Sequence, residues 1–114
     1  MRVLVYAAGK NGARVIRQLR KNPDLTIITA DPRDDLQAVR EGLIERVDIR
    51  EALTPLTLEH ILDQARPDLI LLAMQTEDLG LGKAAGVDIL AGALRAEIAA
   101  ISKVPVIEVA RRGG

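Results

Sequence analysis

The chain has 114 residues, a length that holds one domain with a core of its own. Sixteen basic residues balance sixteen acidic ones and Tyr6 is the sole aromatic, so the chain has neither a basic field for nucleic acid nor a platform for stacking bases. Cysteine is absent, which excludes disulfides, thiolate catalysis and cysteine-held metals.

With 48% apolar residues but no Phe or Trp, the core has to be aliphatic. The strongest apolar run, residues 69–74, is too short to span a bilayer. The first strand pattern starts at Arg2 and leaves no room for a leader, so a soluble cytoplasmic domain with no membrane contact is expected.

Residues 2–7 (RVLVYA) read as a strand covered on both faces, because polar alternation is missing. A glycine turn leads into a helix over 11–22, with Val15, Ile16 and Leu19 inward and Arg14, Arg17, Arg20 and Lys21 outward. Basic residues in its last turn suit the dipole, and Pro23 follows the stop. Residues 25–30 read as a second strand closed by Asp31-Pro32, and residues 34–42 as a short helix ended by Gly42. RVDI at 46–49 is short and half polar, the pattern of an edge strand.

Thr57 stands where a cap belongs for a helix over 57–65, which Arg66-Pro67 ends. Residues 68–74 are the most apolar segment and predict a central strand. A long connection over 75–88, rich in glycine, precedes a helix over 89–102 and a last strand over 104–110. This alternation predicts one α/β domain over residues 1–114, with helices on both faces of an open five-stranded parallel sheet of order 3-2-1-4-5.

The first turn carries the main functional signal. Gly9 and Gly12 fill the second and third positions of a G-x-G-x-x-G pattern, with Ala7 in the first. Glycine at the second position lets backbone approach a pyrophosphate, and at the third it lets helix and sheet pack closely. Gly9, Lys10, Asn11 and Gly12 are therefore candidates to cradle phosphate at a helix start. Ala7 is a small departure provided its φ stays negative. A glycine in any strand-to-helix turn is the plain alternative.

Asp31 follows Gly12 by nineteen positions, where a carboxylate accepts a ribose 2′-OH and favours NAD. Arg33 offers a guanidinium for phosphate beside it. The plain alternative is a turn, since Asp-Pro commonly starts one. The 75–88 connection leaves the fourth strand next to the first, where open α/β sheets bind ligands. Gln75, Thr76 and Lys83 are its candidate ligand contacts, and Lys83 with Lys10 favours a small anionic ligand. A surface loop with solvated charges competes with that reading. Glu77, Asp78 and Lys83 give a weaker enzymatic alternative as acid–base groups, because nothing in the sequence orients them.

His60 is the single histidine and is expected to face solvent; no metal site is expected. The 89–102 helix is apolar nearly all round, with Ile89, Leu90, Leu94, Ile98 and Ile101 on one side and alanines over much of the rest. That excess predicts a second packing partner, most simply a homodimer. Exposed alanines that merely favour helix are the alternative.

Two resemblances follow from these residues. The 3–12 segment with Asp31 resembles NAD(P)-binding Rossmann-like domains, including the small potassium-transport regulatory type. Residues 51–76 resemble the pre-ATP-grasp domain of carbamoyl phosphate synthetase large chains, through Leu56-Thr57, Arg66-Pro67-Asp68 and Gln75-Thr76. Ala73-Met74 stand where that family usually has glycines, and the ATP-grasp portion with its catalytic site is missing from this sequence. The first resemblance implies a nucleotide-binding sensor or subunit, most plausibly for NAD(H). The second implies a ligand-facing Gln75 and Thr76, or a module that docks on a ligase or on itself.

Overall fold

Strand β1 (Arg2–Tyr6) forms the axis of the molecule, since its alternate residues feed two separate cores. Leu4 and Tyr6 face one side with Ile28, Ile61, Ile70, Leu72 and Ile98. Val3 and Val5 face the other with Ile16, Leu36, Val47 and Leu71. A strand covered on both faces has no polar positions to alternate, which explains its unbroken apolar pattern. The computed structural model describes residues 1–33, 35–75 and 85–109.

Helix α1 (Lys10–Leu19) crosses to β2 (Thr26–Ala30), and a four-residue α2 (Gln37–Arg40) follows. Helix α3 (Leu58–Ala65) leads to β3 (Leu69–Leu72), and α4 (Val87–Ile101) leads to β4 (Val106–Glu108). All pairings are parallel, in the order β2-β1-β3-β4. Helix α1 seals the Val3–Val5 side of the sheet through Ile16, while Ile61 of α3 and Ile98 of α4 seal the other. Each fully buried Leu or Ile in these layers contributes about 1.5–3 kcal/mol.

Among the described residues, the expected five-stranded sheet of order 3-2-1-4-5 is corrected to four strands in the order β2-β1-β3-β4. The strand expected at 46–49 is reduced to one bridge, Ala30 to Ile49, on the outer edge of β2. Two backbone bonds remain there, Ile49 N–H to the Thr29 carbonyl at 2.9 Å and Asp31 N–H to the Ile49 carbonyl at 3.0 Å. The next ladder position is taken by a side chain: Asp48 Oδ2 accepts the Thr29 N–H at 2.9 Å. A carboxylate in place of a backbone carbonyl ends the ladder and blunts the edge.

Helix α3 starts after Thr57, as expected, but its hydroxyl does not cap it. Thr57 Oγ1 donates to the Ala52 carbonyl at 2.6 Å and accepts the Thr54 N–H at 2.9 Å, tying down the approach to the helix. Arg66 closes α3 in the left-handed conformation, φ 47°, next to Pro67.

Candidate functional site

The turn after β1 is fixed from three sides. Ala7 N–H donates to the Ala30 carbonyl at 2.9 Å, Ala8 N–H to Asp31 Oδ2 at 3.0 Å, and the Ala8 carbonyl accepts Ala38 N–H at 3.1 Å. Gly9 then becomes the N-cap of α1, whose end carries no side-chain cap. Helix and turn touch at Gly12, where an added Cβ would stand 1.9 Å from the Ala7 carbonyl oxygen. The close-packing role expected of the third glycine is present.

Ala7 departs from expectation. Its φ is +78°, the left-handed region, and not the negative value that alanine prefers. The first fingerprint position thus keeps a glycine-like conformation under an alanine side chain, at a cost of about 1–2 kcal/mol. The three hydrogen bonds around it hold that conformation.

Asp31 ends β2 with 1% exposure, yet its carboxylate accepts four hydrogen bonds. Oδ2 takes Ala8 N–H at 3.0 Å and Arg33 Nη2 at 2.8 Å; Oδ1 takes Arg33 N–H at 2.9 Å and Arg33 Nε at 3.0 Å. Burial alone pushes this carboxyl up, but the bonds from the Arg33 side chain and from the Ala8 and Arg33 backbone outweigh it, so its pKa lies below the ordinary value of 3.8. The turn role set against ribose binding is therefore present, through Arg33 N–H. A ribose diol reaches this carboxylate by displacing the Arg33 guanidinium, whose side chain is 38% exposed.

Asn11, in the first turn of α1, reaches across to β3: its Nδ2 donates to the Ala73 carbonyl at 3.3 Å, and its Oδ1 accepts from Arg14 Nη2. Gln75 Nε2 lies 3.5 Å from the Val109 carbonyl beyond β4. The amino end of α1 and the start of the connection after β3 therefore share one rim, with exposed Lys10 beside them. Asn11 does structural work there, tying the first turn of α1 to the chain just past β3. Thr76, Lys83, Glu77 and Asp78 lie outside the described residues.

Sequence reading missed two features. Arg95 of α4 donates through Nη1 to the Met74 carbonyl at 3.3 Å and through Nε to Glu108 Oε1 at 3.2 Å, bracing the same rim. A lone arginine amid alanines was its one signal. The second is a cleft of about 740 Å³ at the opposite, amino ends of β1 and β2, lined by Arg2, Thr26, Asp48, Arg50, Glu51 and Gln64 with apolar neighbours. It is open, and much of its polar lining is engaged: Arg2 donates to the Ala65 carbonyl at 2.7 and 3.0 Å, and Asp48 holds Thr29. His60 is exposed as expected, its Nε2 3.4 Å from Glu51 Oε2. Parallel sheets bind ligands outside the carboxyl ends of their strands, which favours the glycine turn over this cleft.

Among the described residues no His, Asp and Glu cluster is placed to hold a metal ion, and no helix is long and apolar enough to cross a membrane. Compared with family models and with characterised proteins, the chain matches none.

Proposed function

We propose that this chain is a nucleotide-binding protein, with NAD(H) as the leading ligand, that acts as a sensor or a subunit. The observation that carries the reading is the start of α1. There, successive N–H groups at Gly9–Gly12 stand without a side-chain cap, on a turn made rigid by Gly12 against Ala7. Such an end carries a positive dipole and directed donors, a receptor for phosphate. Lys10, exposed in the first helical position, adds positive charge.

Asp31 and Arg33 then act as a pair. With the guanidinium in place, the rim offers a cation where a nucleotide ribose would lie; with it displaced, the rim offers a buried carboxylate for a 2′-OH. NAD(H) uses the second state, and a 2′-phosphate uses the first. Binding is favoured over catalysis because Asp31, the one buried carboxylate among the described residues, is held ionised and fully engaged. That is a poor state for a general acid or base.

The test is calorimetric titration with NAD, NADP, ATP and AMP. Saturable binding of a dinucleotide, weakened by Lys10→Ala, is expected. Silence from all four at millimolar concentration overturns the reading.

A further inference from the structure

The outward side of α4 is apolar where a surface helix ordinarily carries charge. Val87, Ala91 and Ile98 are buried against the sheet. At about 100° per residue, the row directly opposite consists of Ile89, Ala93, Ala96 and Ala100, all of them exposed. Ile89 is 79% exposed; Leu90 and Ile101, on the flank between Glu97 and the buried face, are 45% and 49% exposed. Asp88 and Arg95 lie on one flank and Glu97 on the other, so the row itself holds no charged side chain.

We infer that a second copy of this chain covers this face, with the two α4 helices antiparallel about a two-fold axis. The row is complementary to itself in that arrangement. Ile89 meets Ala100 of the second copy and Ala93 meets Ala96, so a large side chain faces a small one at each end and small faces small at the centre. Close approach of the helix axes follows. Charge selects the orientation. Asp88 sits in the first turn and Lys103 just past the last, both exposed, so antiparallel packing sets each Asp88 level with Lys103 of the other copy. Parallel packing sets like charges side by side, which repel. The formal net charge of zero leaves no long-range repulsion between copies. None of these residues belongs to the glycine turn, and the inference holds whether or not a nucleotide binds there.

Sedimentation velocity on the full chain at hundred-micromolar concentration tests it. The wild type is expected at twice the 12.3 kDa chain mass. Ala96→Arg and, independently, Ile89→Glu are expected to sediment as folded monomers, folding being checked by circular dichroism, because both positions face away from the core. Asp88→Lys alone is expected to weaken the dimer by on the order of tenfold, from one surface ion pair lost at each end. Adding Lys103→Asp is expected to restore it. A wild type that stays monomeric, leaving the face to some other partner or to lipid, overturns the proposal. So does a dimer that survives both core-row substitutions, or a charge exchange that fails to rescue.

Discussion

Gly12 and Ala7 are in backbone contact: a Cβ on Gly12 would stand 1.9 Å from the Ala7 carbonyl oxygen and 2.7 Å from its carbon. The neighbour is main chain and is held by hydrogen bonds on either side, so it has nowhere to move. Gly12→Ala is expected to cost about 3 kcal/mol or more, at the upper end of overpacking penalties. Urea denaturation measures it, and a loss below about 1 kcal/mol would mean the turn yields easily.

Ala7 gives the companion prediction. Ala7→Gly removes about 1–2 kcal/mol of left-handed strain. It also forfeits about 0.8 kcal/mol of methyl burial and adds about 0.4–1 kcal/mol of unfolded-chain entropy. These offset one another, so near-neutral stability is expected. Ala7→Val puts a β-branched residue at φ +78° and is expected to be severely destabilising. Comparable losses for Gly and Val would mean that side-chain packing, not backbone conformation, governs the position.

Asp31 links the turn to acid stability. Its folded pKa is depressed, so its contribution is complete above the ordinary carboxylate value of 3.8. The contribution declines as pH falls below that value and is gone once pH has passed through the lower folded value. Glu41, held low chiefly by a hydrogen bond from Gln37, adds a surface contribution of the same sign. Asp31→Asn is expected to cost about 2 kcal/mol at pH 7 and to flatten the acid limb of the stability curve. Denaturation at pH 7 and pH 3 in both proteins separates Asp31 from Glu41. Identical acid slopes would show that Asp31 is not the linked group.

At the proposed site, Arg33 is expected to set nucleotide preference. Arg33→Ala uncovers the Asp31 carboxylate and removes the guanidinium that would hold a 2′-phosphate. NAD is expected to bind more tightly in the variant and NADP more weakly. Paired titrations read the ratio; a ratio unchanged by the substitution would remove Arg33 from the site.

Much of the sheet was legible because β1, β2 and β3 are apolar runs whose burial leaves no choice of element. The edge was not legible. RVDI has strand-like residues, but the Asp48 carboxylate occupies the Thr29 N–H that a ladder would have used. The helix expected at 34–42 contracts to Gln37–Arg40 because buried Leu36 takes the N-cap in extended conformation and Ala38 N–H docks on the Ala8 carbonyl. Those are tertiary contacts, invisible to local pattern. Spacing singled out Gly12 and Asp31, and the fold sets both against the turn after β1, Gly12 on the Ala7 carbonyl and Asp31 on the Ala8 N–H. It could not reveal that Arg33 folds back two residues to close the carboxylate, or that Asn11 spends its amide on Ala73.

The most direct measurement is an NMR titration of isotope-labelled protein with NAD, followed at backbone amides. Binding at the glycine turn predicts that Gly9, Lys10, Asn11 and Gly12 shift first and most, with Arg33 next and the amides around Arg50, Glu51 and Gln64 unmoved. Shifts confined to that opposite cleft, or no shifts at millimolar nucleotide, would contradict the account.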